Sequence, residues 1–310
     1  MRITDSSMIR NHMYDTQQSL QRRDALNRQL DSGKQINRVS DDPHKAIKIM
    51  NLNNEIKYTE KYNQNIDETV GWMNNTDSSL EEVGNILGEI KTNLLKVGNG
   101  TYSDEEIKAI HAEVNEKIKE LGESLNTSHG GRHMFSGTEV DEVPVSFEEK
   151  DGVVTLKLNP TINNKDLKAE ISDGITVDYN ISAKEIFEND GKNYLDQINN
   201  LSKLMNDISN GKDVEKNKKE LLGTVKDDID KLFNHSVNTR TTFGVRVNTA
   251  EKIKDFNDEN ILNMKGVLSL EQDVDHINKF IELKSAEMLY NVSIQVGSKL
   301  IQPSIMDYLR

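Results

Sequence analysis

The sequence predicts a mainly α protein in which both chain ends form long antiparallel, coiled-coil-like helices and a small β domain is inserted between two helical halves. Prolines occur only at Pro43, Pro144, Pro160 and Pro303, so two long intervals lack the residue that breaks helix interiors. Apolar residues recur at three- and four-residue spacing through most of both intervals. Between residues 139 and 182 the spacing changes to the partial alternation of strands.

Composition favours thin, half-solvated helices over a thick core. Of the 310 residues, 35% are hydrophobic and 5% aromatic. The formal net charge of −13 argues against binding to nucleic acid and to anionic membrane surfaces, because both carry negative charge. The absence of cysteine excludes disulfides, thiolate zinc sites and thiol nucleophiles. No apolar run is long enough to span a bilayer, and the N-terminus lacks the apolar region of a cleaved signal peptide.

Capping residues define the predicted helices of the first half. The first helix is expected from Ser6 to Ser32, closed by Gly33. Asp42 is a good N-cap and Pro43 a good first residue for a second helix, which continues past Trp72 towards Val97.

Further along the chain, Asn99-Gly100 predicts a turn. The capping box Ser103-Asp-Glu-Glu106 then opens a third helix through Leu125, which ends near Gly130-Gly131.

The middle of the chain predicts hairpins. Turn residues Asp151-Gly152, Asn163-Asn164 and Asp173-Gly174 separate short apolar runs, and Asp173-Gly174 is the clearest hairpin. The predicted strands are Val143–Phe147, Val153–Leu158, Leu167–Ile171 and Ile175–Ile181.

Helix is expected to resume near Ala183, with possible breaks or bends at Gly211, Gly244 and Gly266. The last long helix has the sharpest periodicity, a coiled-coil-like seam interrupted by one charge, at Lys284. The seam consists of Val267, Leu270, Val274, Ile277, Ile281, Lys284, Met288, Val292 and Val296.

These patterns divide the chain into five parts. We predict a terminal assembly helix over 1–40, the first half of a helical rod over 41–138, an inserted β domain over 139–182, the second half of the rod over 183–265, and a C-terminal assembly helix over 266–310.

The amphipathic ends predict assembly. A lone helix cannot bury its apolar stripe, so the two ends need each other or neighbouring subunits as partners. The seam is equally compatible with an intramolecular core. The predicted assembly seam comprises Ile9, Met13, Leu20, Leu30, Val274, Ile277, Ile281, Met288, Val292 and Val296.

Three segments together resemble the flagellin superfamily and, within it, the hook-associated protein 3 family of hook–filament junction proteins. They are R-I-T with L-D-S-G-K-Q-I-N and S-D-D-P-H-K-A within 2–46, G-R-H-M-F-S-G-T at 131–138, and V-S-I-Q-V-G-S-K-L-I-Q-P-S-I-M-D-Y-L at 292–309. The Pro43 pattern and the Q-P-S ending differ from flagellin itself.

The resemblance implies a secreted structural protein of the bacterial flagellum, exported by the type III apparatus without a cleaved signal peptide. It implies self-association into a ring, with hook-associated protein 1 and flagellin as neighbours and a cytosolic chaperone on the C-terminal helix. It implies neither catalysis nor a cofactor.

Chemical interpretations are weaker. His129 and His133 have metal-like spacing, but zinc would need two further ligands and the intervening glycines indicate a loop. The segment 130–137 lacks phosphate-loop and nucleophile-elbow spacing. Asp42, next to Asp41, is explained as a helix N-cap, so no bound metal ion is needed to account for the two carboxylates.

Two remaining features have structural interpretations. Trp72 is typical of a core residue, although a partner anchor is the alternative. Lys216–Lys219 is typical of a solvated face.

Three alternative functions stay open at this stage. The chain could be a minor flagellin, a metalloenzyme using His129 and His133, or a cytosolic coiled-coil scaffold. Self-polymerisation of the purified protein would favour a minor flagellin. Stoichiometric bound metal would favour the metalloenzyme, and absence from the cell surface would favour the scaffold.

Overall fold

The computed structural model describes residues 5–98, 103–189 and 191–300. Long helices dominate this part of the chain, and short antiparallel hairpins interrupt them in the middle, so the predicted fold class is confirmed. The helices are α1 Asp5–Ser32, α2 Pro43–Gly98, α3 Asp104–Leu125, α4 Ala183–Phe187, α5 Leu195–Ser209, α6 Val214–Glu220, α7 Lys226–Gln272 and α8 His276–Leu300, and a π-helical turn Leu221–Val225 joins α6 to α7.

In the described part of the chain, the strands form four separate two-stranded antiparallel pairs, each between neighbours along the chain. They are β1 Ser128–His129 with β2 Arg132–His133, β3 Val145–Lys150 with β4 Val153–Leu158, β5 Lys168–Ser172 with β6 Ile175–Asp178, and β7 Glu188–Asn189 with β8 Lys192–Asn193.

The chain forms two compact units. Unit 1 combines the two ends, Met1–Thr59 and Glu259–Arg310, and unit 2 is the middle, Glu60–Asp258. The five-part division drawn from the sequence stays a prediction, because compactness groups the chain differently.

Unit 2 holds the main hydrophobic core. Apolar side chains of α2, α3, α5 and α7 meet there with the inner faces of the hairpins. Burying each such side chain contributes about 1.5–3 kcal/mol, so this unit is the stable body of the chain. Its largest fully buried side chains include Phe135, Phe187, Phe243, Ile66, Met73 and Leu87.

Local capping explains where the predicted helices begin and end. Asp42 Oδ1 accepts a hydrogen bond from Lys45 N at 3.1 Å at the start of α2. Ser103 and Glu106 form the reciprocal capping box of α3. Gly33, with φ of +67°, follows the last residue of α1. These three predictions are confirmed; the predicted turn Asn99-Gly100 lies outside the described residues.

The β3–β4 hairpin turns at Asp151 and Gly152, whose φ angles are +54° and +78°. Two consecutive left-handed residues match the twist of a tight hairpin. At Asp173-Gly174, which the sequence favoured, only Gly174 is left-handed. Strand β3 begins at Val145 rather than Val143, because Pro144 has no N–H to contribute to a ladder.

Helix side chains satisfy the outer edges of this hairpin. Ser202 Oγ on α5 accepts from Val154 N at 2.9 Å, and Asn199 both accepts from Leu156 N and donates to Leu156 O. Asn126 pairs in the same way with both backbone groups of Val145. Polar side chains on α5 and at the end of α3 thus replace the missing neighbouring strands.

A buried polar network ties α3, α5 and the β3–β4 turn together. Asn115 Nδ2 donates to Gly152 O and lies 3.0 Å from His111 Nε2, and Asn115 Oδ1 accepts from Ser202 Oγ at 2.7 Å. Burial lowers the pKa of His111 below its ordinary value of 6.5, because the buried site disfavours the charged ring.

Two sequence predictions about the last third of the chain are wrong. Gly244 and Gly266 do not interrupt α7, although Gly211, with φ of +73°, does end a helical segment. The expected continuous helix through the seam is divided between α7 and α8. Asp275 Oδ1 accepts from Ile277 N and Asn278 N at 3.1 Å, so this carboxylate caps a new helix.

The His111 network predicts a pH dependence of stability. Because the folded chain binds this proton less readily than the unfolded chain, the free energy of unfolding should fall as pH drops below about 6.5 towards the lowered pKa. Urea titrations between pH 8 and 5 would measure this fall. His111→Gln should flatten the profile, whereas His44→Gln, at an exposed histidine, should keep the wild-type slope; equal slopes in all three proteins would contradict the assignment.

Candidate assembly interface

Helices α1 and α8 pack against each other in antiparallel orientation. His12 Nε2 lies 2.9 Å from Ser293 O near one end of the pair, and Val274 N donates to Gly33 O at 3.0 Å at the other. Residue numbers therefore rise along α1 as they fall along α8. The predicted antiparallel arrangement of the chain ends is confirmed within unit 1.

The apolar contact between these helices is small. Leu26, Leu283 and Ala286 are buried together, and Leu30 packs partly against them. Two polar or aromatic contacts extend the pairing: Thr16 Oγ1 lies 2.7 Å from Ser293 Oγ, and the Arg23 guanidinium lies 5.1 Å from the centre of the Tyr290 ring.

A backbone clasp fixes the register of the pair where the helices end. Gln35 N donates to Gln272 O at 2.8 Å, and Val274 N donates to Gly33 O. Gln35 Nε2 donates to Asp273 O at 2.8 Å. The turn after α1 and the turn before α8 therefore hold each other through two main-chain hydrogen bonds and one from the Gln35 side chain.

An ion pair beside the clasp joins α2 to α7 within unit 1. Lys48 Nζ lies 2.6 Å from Glu271 Oε1. The hydrogen bond from Lys48, with the nearby charge of Lys45, lowers the pKa of the Glu271 carboxyl.

Helix α8 approaches the His12 side chain closely at the far end of the pair. A Cβ at Gly297 would lie 2.6 Å from His12 Nε2, which is inside van der Waals contact. Glycine here lets the helix surface approach the histidine ring.

Exposed apolar residues are concentrated in unit 1. Among the described residues, eighteen of the twenty-five exposed large apolar side chains belong to unit 1, whereas unit 1 contributes only six of the forty-six buried ones. Monomeric proteins rarely leave such apolar surface uncovered. Unit 1 therefore carries the surface expected of an assembly contact.

The predicted seam lies mostly on that exposed surface. Ile277 is 76% exposed and Met288 69%. Most seam residues therefore lie outside the intramolecular core of the described residues. Of the seam residues from 267 to 296 only Val274, in the turn between α7 and α8, is buried, at 7% exposure. The further exposed residues are Val267, Leu270, Ile281, Lys284, Val292 and Val296.

On α1 the predicted seam residues have mixed environments. Met13 is exposed, whereas Ile9, Leu20 and Leu30 are half-buried. Sequence reasoning missed Leu26, Leu283 and Ala286 as the contact between the two helices. Leu283 and Ala286 are separated by three residues on the side opposite the seam, and that spacing was the available signal.

The other candidate residues have structural roles. His129 and His133 belong to the β1–β2 hairpin, where their rings contact Asn75 Nδ2 and Asn126 O. Asp41 Oδ2 accepts from two backbone amides, and Trp72 is buried in the core. Over the described ranges, no group of three potential ligands could hold a metal ion.

The N-terminal part of the chain matches a known family. Residues 4–140 match the model for the bacterial flagellin N-terminal helical region. The chain is 30% identical over 109 residues to the flagellar filament 30.7 kDa core protein of Treponema maltophilum, covering 35% of this chain and 38% of that protein. It is 28% identical over 131 residues to the flagellar filament 41 kDa core protein of Borreliella burgdorferi, covering 42% and 39%. The chain thus spans about two-fifths of the length of these curated relatives.

Solved structures share the fold over a larger part of the chain. A putative flagellar hook-associated protein from Vibrio parahaemolyticus aligns with a TM-score of 0.63 and 24% identity, over 75% of this chain and 99% of that one. Flagellar hook-associated protein 3 from Legionella pneumophila aligns with a TM-score of 0.62 and 13% identity, over 71% and 98%. The resemblance to the flagellin superfamily is confirmed over residues 4–140 by the family model. Beyond those residues the solved structures show a shared fold. As far as the chain is described, its helices include none long and apolar enough to cross a membrane.

The small α1–α8 contact predicts a selective response to truncation. Leu283→Ala should cost the pair about 2–5 kcal/mol, because it opens a cavity in a cluster with few other members. Amide hydrogen exchange should accelerate in α1 and α8 and stay unchanged in the core of unit 2. Ile281→Ala, 57% exposed in the native protein, is the matched control; equal acceleration in both variants would contradict the assigned contact.

Proposed function

We propose that this chain is a structural subunit of the bacterial flagellum that forms the junction between hook and filament and provides the platform for filament assembly. The observation that carries the proposal is the uncovered apolar surface of unit 1, on a chain whose fold is that of solved hook-associated proteins. Surface of this kind is covered when copies and neighbours pack together. The role is mechanical.

The partners follow from this function. Copies of the chain would associate into a ring, hook-associated protein 1 would lie on the hook side, and flagellin would follow on the filament side. A cytosolic chaperone would cover the exposed face of α8 before export through the type III apparatus. The apolar residues of that face, such as Ile281 and Met288, are suited to such a helix-binding partner.

A minor flagellin is the second candidate. The curated relatives named as flagellar filament core proteins favour it. The chain covers only about two-fifths of those proteins, whereas it covers almost all of the solved hook-associated proteins. This difference in coverage supports the junction over the filament.

Catalysis is not part of the proposal. The residues that resembled metal ligands make hydrogen bonds in a hairpin (His129, His133) and in the turn and helix cap at the start of α2 (Asp41, Asp42). The histidine with a lowered pKa, His111, belongs to a structural hydrogen-bond network. A cytosolic scaffold is the weaker alternative, and detection of the protein on the cell surface would exclude it.

Deleting the gene tests the function directly. We expect hooks without filaments by electron microscopy and unpolymerised flagellin in the culture medium, because filament growth would lack its platform. Complementation with the wild-type gene should restore filaments. Normal filaments in the deletion strain would contradict the proposal, and shortened filaments on intact junctions would favour a minor flagellin.

A charge on the exposed face of α8 should block assembly without unfolding the chain. Ile281→Asp places a carboxylate in an apolar contact, where burial of an unpaired charge is costly. We expect loss of the variant from isolated flagella, with unchanged thermal unfolding of unit 2. Val245→Asp, at an exposed position of α7 in unit 2, is the control; normal incorporation of Ile281→Asp would refute the assigned seam.

A further inference from the structure

Unit 2 contains a cavity of about 330 Å³ where α2 meets two of the hairpins. Helix α2 contributes Glu68 and Trp72 to its wall, β2 contributes Arg132, β5 contributes Glu170, and Tyr179 follows β6. This volume is at the lower end of the range for ligand sites in proteins. The cavity therefore suits a small molecule.

An indole N–H without a partner is the first sign of a ligand. Trp72 is only 8% exposed, and among the described residues its Nε1 has no hydrogen-bond acceptor. The rings of His129 and Tyr179 stand nearly perpendicular to the indole, with centroids 5.9 and 6.1 Å away. Buried donors are nearly always paired. Because Trp72 lines the cavity, an acceptor held there would complete the site.

Unpaired charges of both signs are the second sign. Arg132, Glu68 and Glu170 all line the cavity, yet in the part of the chain that the structure describes none of their side chains takes part in an ion pair. Lys168 adds a second positive charge at the cavity, 3.8 Å from Asp178. The cavity thus offers a ligand both positive and negative groups.

The charge of the surrounding body narrows the class of ligand. Unit 2 has 24 Lys and Arg residues against 38 Asp and Glu residues, a formal charge of −14. Such a body repels a purely anionic ligand. A purely cationic ligand would leave Arg132 and the N–H of Trp72 without an acceptor. A small zwitterion satisfies both sets of groups and adds no net charge.

We propose that this cavity binds a free amino acid with an apolar side chain. Its carboxylate accepts hydrogen bonds from the Arg132 guanidinium and from Trp72 Nε1, and its ammonium group pairs with Glu68 and Glu170. The side chain packs against the ring of Tyr179. The cavity lies in unit 2 and the proposed assembly surface in unit 1, so this inference goes beyond the proposed function and does not depend on it.

Trp72 is the only tryptophan of the chain, so its fluorescence reports directly on the cavity. The purified full-length protein would be titrated with L-leucine, L-valine and L-methionine. Isocaproate, which is leucine without its ammonium group, and isoamylamine, which is leucine without its carboxylate, are the matched control ligands. We expect a saturable change with the amino acids and about tenfold weaker binding of either control, because each control lacks one charged contact.

Variants that keep the tryptophan test the charged groups. Arg132→Gln and Glu68→Gln should each raise the Kd of the bound amino acid about tenfold, with unchanged thermal unfolding because both side chains are exposed. Lys157→Gln and Glu82→Gln remove the same charges at exposed positions outside the cavity, so they should bind like the native protein.

The indole N–H has its own test. Trp72→Phe keeps an aromatic ring and removes the donor, and calorimetric titration replaces fluorescence as the readout. We expect weaker binding by a variant whose unfolding remains cooperative, whereas an unchanged Kd would remove the N–H from the site and contradict the assignment.

Three further outcomes would overturn the proposal. No saturable change with any of the three amino acids up to their solubility limits would exclude the class of ligand. Equal affinities for leucine and isocaproate would indicate a carboxylate site instead of an amino acid site. Equal weakening by Lys157→Gln and Arg132→Gln would place the binding outside this cavity.

Discussion

A helix that is apolar on opposite sides cannot be covered by a single neighbour, and unit 1 is organised around that constraint. Helix α8 uses Leu283 and Ala286 against α1 and leaves Ile277, Ile281 and Met288 facing outward. Within the described residues, α1 is the helix that packs against α8. The same sequence therefore encodes a modest contact within the copy and leaves apolar surface for the contact proposed between copies.

In the middle of the chain, isolated hairpins are attached to a helical body. Two-stranded hairpins are marginal in water because their outer edges remain unpaired. Here Asn126, Asn199 and Ser202 supply side-chain hydrogen bonds to those edges. Buried networks of this kind are favourable only when every member is satisfied, and the neutral ring of His111 meets that condition. Unit 2 is consequently a self-contained body.

Whether the sequence predicted a structural feature depended on how far apart along the chain the interacting residues lie. Caps at Asp42, Ser103 and Gly33 act over a few residues, so their sequence patterns identified them. Periodicity also revealed the hairpins and the apolar character of α8. The spacing of Leu283 and Ala286 was one signal for the side of α8 that faces α1, but apolar residues occur on both sides, so the sequence did not distinguish that side from the exposed one. The break at Asp273–Asp275 was missed because the spacing of the seam continues across it, although Asp275 has the chemistry of an N-cap.

The clasp between Gly33, Gln35, Gln272 and Val274 has a consequence for changes in chain length. It anchors both helices at one end. The positions of α1 and α8 that face each other are therefore set by their distance in residues from the clasp. A one-residue insertion in α1 would rotate all positions beyond it by about 100° relative to α8, separating His12 from Ser293 and misaligning Gly297. A point substitution changes one position of the pair, whereas an insertion or deletion shifts every position beyond it. By contrast, the β5–β6 hairpin turns at Asp173 and Gly174, and a Cβ at Gly174 would meet open space. Length variation in this chain should therefore accumulate at the hairpin turn and be absent from the two terminal helices.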